Sequence, residues 1–212
     1  MKTLKLPALP VLAAILAPLA VTARDLPEGY RRLTFIQGDP KQSTRILTNY
    51  TPNPKDDTFV VELEFTDLSA NQAVWCARNN FYQGNYSLFF LQTRMRMDIW
   101  WSSSSPDQGC ETSYLENAVV TGQKIRFTVN KNNFAWKIGE GEEQQGSGAW
   151  WNDGYYSAWK SMMIFASYNI GYDSNLGNYG SYKLYSFKVY RGEELIHDFV
   201  PCRTDEGVVT LY

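Results

Sequence analysis

The stretch "KIRFTVNKNNFAWKIGEG", residues 124–141, decides the fold. In its first arm Ile125, Phe127 and Val129 alternate with Lys124, Arg126 and Thr128. A strand sends successive side chains to opposite faces, so this arm has one apolar and one polar face. Turn-forming residues from Asn130 to Asn133 separate it from a second alternating arm. The pattern predicts an antiparallel hairpin.

The same period recurs outward from it. "TFVVELEF" (58–65) sets Phe59, Val61, Leu63 and Phe65 against Val60, Glu62 and Glu64. "RMRMDIWW" (94–101) sets Met95, Met97, Ile99 and Trp101 against Arg94, Arg96, Asp98 and Trp100. "MMIFASYNIG" and "SYKLYSFKVYRGEELIHDFVP" continue the theme, and no ten-residue stretch carries a helical stripe. Many short strands separated by turn signals predict an all-β, two-sheet antiparallel sandwich.

The first residues read differently. Lys2 and Lys5 precede an apolar run that begins at Leu6 and ends at Val21-Thr22-Ala23. A basic start, an apolar middle and small residues at the end predict a cleaved signal peptide over 1–23. Pro7, Pro10 and Pro18 interrupt the run and argue against a spanning helix. Residues 24–212 are then one domain, secreted or held in the periplasm or cell envelope, with no membrane span. The formal charge of −2 for the whole chain carries no footprint for nucleic acid. Three cysteines, Cys76, Cys110 and Cys202, allow three pairings and always leave one over. With a single histidine and no CxxC, no zinc site is expected.

His197, Asp198 and Cys202 bring together the ingredients of a nucleophilic site. Strand geometry separates them. Neighbours point to opposite faces, and Cys202 lies roughly 16 Å along the strand from His197 at ~3.3 Å per residue. A catalytic dyad needs hydrogen-bond reach. The aromatics are more promising for binding: 7 Trp, 14 Tyr and 11 Phe. In "GSGAWWNDGYYSAW" (146–159), Trp150, Trp151, Tyr155, Tyr156 and Trp159 interleave with Asn152 and Asp153. The polar face of "RMRMDIWW", with Arg94, Arg96, Asp98 and Trp100, is a second candidate. Rings beside fixed polar groups suit a sugar, which offers C–H faces and hydroxyls together. "NDG" (152–154) and "YDSN" (172–175) offer oxygens for calcium, but no loop approaches the six to eight such an ion needs. No metal site or cofactor is therefore expected, with calcium as the one possibility.

Several phrases together resemble one family. They are "LPEGYRRLTFIQGDPKQSTRILTNYTPN" (26–53), "WCARNN" (75–80), "MIFASYNIG" (163–171) and "KLYSFKVYRGEELIHDFVPCRTDEGVV" (183–209). The chain looks like a bacterial or phage laminin-G-like, concanavalin A-like jelly roll. The resemblance implies a sandwich of two curved antiparallel sheets. It also implies a lectin, an adhesion module or a glucanase, since the fold hosts all three. Cys202 falls in a motif that the family carries unpaired, so the resemblance leaves Cys76–Cys110 as the expected disulfide. Glu62, Glu64 and Asp67 are spaced like the E-x-D-x-x-E strand of jelly-roll glucanases, which makes Glu62 and Glu64 the enzymatic runner-up. Family members commonly continue past "GVV" with another strand. Residues 207–212 are thus expected to form an apolar edge open to pairing with another chain. The reading favours a non-enzymatic module that binds a glycan or a cell-surface protein. A glycoside hydrolase and a structural envelope module are the alternatives.

Overall fold

The computed structural model describes residues 25–78, 85–91, 93–100, 109–115, 117–131, 133–146, 161–168 and 176–212. Its strands, in chain order, are β1 (Tyr30–Arg32), β2 (Ile36–Gln37), β3 (Ile46–Leu47), β4 (Asp57–Phe65), β5 (Gln72–Arg78), β6 (Asn85–Leu91), β7 (Arg94–Trp100), β8 (Gly109–Tyr114), β9 (Lys124–Asn130), β10 (Asn133–Ile138), β11 (Gln144–Gly146), β12 (Met163–Ile164), β13 (Ser167–Tyr168), β14 (Leu176–Gly177), β15 (Tyr182–Arg191), β16 (Glu194–Phe199), β17 (Pro201–Thr204) and β18 (Val209–Leu211). One sheet of seven strands runs β11-β10-β9-β4-β15-β16, with β2 paired to β15. A second of six runs β3-β12-β5-β6-β7-β8. Every pairing among the described strands is antiparallel; consecutive runs such as β5-β6-β7-β8 and β9-β10-β11 are joined by crossovers that seat β4 between β9 and β15, as in a jelly roll.

The two sheets meet through their apolar faces. Phe59, Val61, Leu63 and Phe65 of β4 are fully buried, beside Ile125, Phe127 and Val129 of β9. They face Trp75, Tyr86, Leu88, Phe90, Met95 and Met97 of the six-stranded sheet, all in one continuous core. Phe59 stacks on Trp75 at 5.3 Å, and Phe187 of β15 meets Trp75 edge-on at 5.6 Å. Phe65 packs on Phe90 at 5.0 Å. Aromatic pairs of this kind add about 0.5–1.5 kcal/mol each beyond the area they bury.

The hairpin of residues 124–138 forms as the alternation predicts, with Asn130 aligned to Asn133 across the turn. Another expectation is corrected. Cys76 and Cys110 lie on β5 and β8, with β6 and β7 between them. The ladders align Cys76 with Ser87, Asp98 and Glu111, whereas Cys110 aligns with Ile99, Tyr86 and Ala77. Three strand spacings separate the backbones by roughly 14 Å, and a disulfide needs Cα atoms within about 7 Å. A Cys76–Cys110 bridge is therefore excluded. Residues 207–212 lie at a sheet edge: β18 pairs with β17 on one side, where Tyr212 and Val200 exchange backbone hydrogen bonds at 2.8 and 3.0 Å, and no described strand pairs with its other side. Together with β1 they make a small three-stranded sheet.

The chain crosses between sheets where Gly38 and Gly180 meet. A Cβ at Gly38 would land on the Gly180 carbonyl oxygen and the Phe165 ring. Tyr182, whose hydroxyl accepts from the Phe165 N–H and donates to the Val74 carbonyl, closes the same corner. Gly38→Ala is expected to lower the unfolding free energy by about 1–3 kcal/mol through overpacking, read as a fall in the urea midpoint at unchanged slope.

Candidate functional site

The alternation of β4 puts Glu62 and Glu64 on the outward face of the seven-stranded sheet. Lys124 Nζ donates to Glu62 Oε1 at 3.1 Å. Lys183 Nζ donates to Glu64 Oε1 at 2.7 Å, and the Tyr185 hydroxyl donates to Glu64 Oε2 at 2.8 Å. The bond from Lys183, followed by that from Tyr185, holds the Glu64 carboxyl below its ordinary range. Burial and the same hydrogen bond push Tyr185 up to about 12. Asp67, at the third place of the glucanase-like spacing, is also lowered, by hydrogen bonds from Ser69. A general acid needs the opposite shift, towards a proton retained at neutral pH. The likeness to the glucanase strand stops at the spacing.

The carboxy-terminal trio separates as strand geometry requires. His197 sits between rings, 4.5 Å from Tyr50 and stacked on Phe199 at 5.4 Å. Asp198 turns to Lys188, 3.9 Å away. Cys202 belongs to the small sheet, donates its thiol to the Thr210 carbonyl, and is pushed up by burial, away from a reactive thiolate.

One charged cluster was missed by the sequence reading. Asp57 occupies the first inward position of β4, and its side chain is wholly buried. It accepts from Arg191 Nη2 at 3.0 Å, from the Asn53 N–H at 2.6 Å and from the Tyr50 hydroxyl. Arg191 rises in response to Asp57, and Tyr50 is pushed far up by burial and by Asp57. The alternation of β4, extended back by two residues, marks Asp57 as inward. Its partner Arg191 lies 134 residues away and carries no such mark. Arg191, half exposed, covers the buried Asp57 carboxylate.

The second binding candidate keeps its geometry. On β7, Met95 and Met97 point into the core, so the alternate positions 94, 96, 98 and 100 face away from it. The ladders set Arg96 beside Phe89 and Ser113, Asp98 beside Ser87 and Glu111, and Trp100 beside Asn85 and Gly109. Arg78 continues the row of Asn85 on β5. This outward face is not an open surface at its centre. Ser87 is fully buried, Cys76 is 1% exposed and Phe89 7%. Arg94 is exposed, while Arg96 is half-buried with its Nε out of contact with solvent. The backbones of Asp98 and Trp100 are described and their side chains are not. The first candidate patch, Trp150, Trp151, Asn152, Asp153, Tyr155, Tyr156 and Trp159, lies outside the described residues, as does the YDSN stretch. Among the described residues no group of three or more His, Cys, Asp or Glu could hold a metal, and no helix is long and apolar enough to cross a membrane.

These features define an all-β sandwich of two antiparallel sheets with one polar, partly enclosed sheet face. No family model matches the chain, and no curated protein does. Solved structures similar to it include mouse laminin alpha1 chain domains LG4-5, at 9% identity over 89% of this chain and 52% of that one, TM-score 0.48. The full-length tailspike protein 2 of an Escherichia coli O157:H7 bacteriophage is 13% identical over 80% of this chain and 27% of that one, TM-score 0.49. The CBM40 of a Ruminococcus gnavus IT-sialidase is 9% identical over 79% of this chain and 93% of that one, TM-score 0.49. The chain thus spans about half of the laminin structure and about a quarter of the tailspike. At these identities the likeness concerns the fold alone.

Two outcomes follow from the buried and paired carboxylates. Glu64 has a folded-state pKa below its unfolded one, so its pairing stabilises the fold above the unfolded carboxylate range and is lost as pH falls through the folded value. The melting-temperature gap between the protein and Glu64→Gln should therefore be open at neutral pH and shrink progressively as pH falls below the ordinary glutamate value of about 4.3. Arg191→Met strips the buried Asp57 of its cation and should cost about 2 kcal/mol in chemical denaturation.

Proposed function

We propose that the protein is an exported, non-enzymatic recognition module that binds a glycan on the outward face of its six-stranded sheet. The observation that carries this reading is the make-up of that face. Polar residues line up across β5 to β8 in register, yet its centre is withdrawn from solvent. Burying polar groups costs free energy, which an apolar replacement would avoid. Such groups are retained where hydrogen bonds answer them, within the chain or from a ligand at its rim. Trp100 in the row of Asn85 and Arg96 in the row of Phe89 stand on either side of the row of Asp98, so an aromatic, a carboxylate and a guanidinium follow one another along β7. A sugar ring is recognised by that combination, with a C–H face for the aromatic and hydroxyls for the polar neighbours.

The seven-stranded sheet offers a poorer catalytic alternative, because Glu64 is held ionised and engaged by Lys183 and Tyr185. Calcium is not required by this reading. Export rests on the amino-terminal pattern of residues 1–23.

A glycan array probed with residues 24–212 tests the proposal. Binding to at least one glycan class is expected, weakened roughly tenfold or more by Trp100→Ala and by Arg96→Ala. Both variants should melt within a few degrees of the parent. Binding to no glycan would favour a structural envelope module. Turnover of a β-glucan that Glu62→Gln abolishes would instead establish a hydrolase.

A further inference from the structure

The outward face of the seven-stranded sheet carries two cations that its carboxylates leave unanswered. Arg126 on β9 aligns with Glu62 on β4 to one side and with Lys137 on β10 to the other. Glu62 is the natural partner of Arg126, but its ion pair goes to Lys124, one step along the strand. Glu64 is committed to Lys183 and Tyr185. Lys188, further along the same face, is answered by Asp198. Neither Arg126 nor Lys137 forms an ion pair among the described residues. The turn at 139–143 carries the exposed Glu140, Glu142 and Glu143, and none of them pairs with either cation.

Like charges placed directly opposite on neighbouring strands destabilise a sheet. Arg126 and Lys137 contribute nothing to the core that would offset this, since Phe127, Phe134 and Trp136 fill the inward positions beside them. The pair is not an overflow of general positive charge, because the chain as a whole is −2. Arg126 is exposed, and Lys124 borders it, its Nζ resting 3.9 Å above the Tyr185 ring.

We propose that Arg126 and Lys137 form an anion-binding site for the carboxylate or sulfate groups of an acidic polysaccharide. A guanidinium forks onto two oxygens of such a group, and an ammonium on the adjacent strand adds a point charge. A lipid phosphate has similar chemistry, but Glu140, Glu142 and Glu143 flank the site and repel a continuous anionic surface more than a single chain. The site lies on the other sheet from the glycan face argued above, and the two stand or fall separately.

The test compares the protein with Lys137→Glu and Arg126→Ser on immobilised dextran sulfate and polygalacturonate at low salt. The parent should be retained and released by added salt, which screens exposed charges. Each variant should lose roughly tenfold or more in affinity. Lys137→Glu should melt no lower than the parent, because it turns a repulsive cross-strand pair into an attractive one. Binding to neutral glycans should be unchanged in both. No retention of the parent on either polymer, or equal retention of the variants, overturns the proposal without touching the neutral-glycan face. Capture by phosphatidylglycerol vesicles but not by the polymers overturns it in favour of a membrane surface.

Discussion

The stack of Phe59 on Trp75, with Phe187 edge-on, is the contact on which the rest of the structure depends. It joins β4 and β15 of one sheet to β5 of the other, and it fixes which side of each strand is inside. Side chains alternate with a period of two, so a slip of one residue in β4 would turn Phe59, Val61, Leu63 and Phe65 outward and bring Glu62 and Glu64 into the core. No such slip is tolerable once these rings are buried. The outward rows follow from the inward ones. Asp57 pins the start of β4 by accepting from Tyr50, Asn53 and Arg191, which holds the register from its open end.

How much of this could be read from the sequence depends on whether the information is local. The alternation of 58–65, 94–101 and 124–138 is local, and the strands and their buried faces follow from it. The separation of His197, Asp198 and Cys202 is local too, because it needs only the rise and pleat of one strand. Strand order is not local. The consecutive run β5-β6-β7-β8 put the expected Cys76–Cys110 disulfide out of reach, while the crossovers that seat β4 between β9 and β15 are not marked in the sequence. The pairing of Asp57 with Arg191 was hidden for the same reason. The short strands β12, β13 and β14 are too brief to show a period and exist through their neighbours. The return of β18 onto β17 also went unread, since three residues carry too little pattern to name a partner.

The two outward faces of the sandwich solve the same problem differently. On the seven-stranded sheet most charges answer one another: Lys124 with Glu62, Lys183 with Glu64, Lys188 with Asp198. Such pairs keep a sheet face soluble and contribute little net stability where they are exposed. Arg126 and Lys137 form no ion pair among the described residues. On the six-stranded sheet the pattern is one of hydroxyl, amide, carboxylate, guanidinium and aromatic residues arranged in rows, with Ser87 and Cys76 shut away from water. A polar face that is also enclosed is the kind of surface a sugar occupies, and a fold with interchangeable loops leaves that face free to specialise.

The most direct measurement is a backbone-amide NMR titration of residues 24–212 with the glycan that binds tightest. Shifts concentrated on β6, β7 and β8, strongest at positions 87, 96, 98 and 100, are the predicted result. Shifts confined to the seven-stranded sheet, or spread evenly with none on β7, would contradict a binding face on the six-stranded sheet.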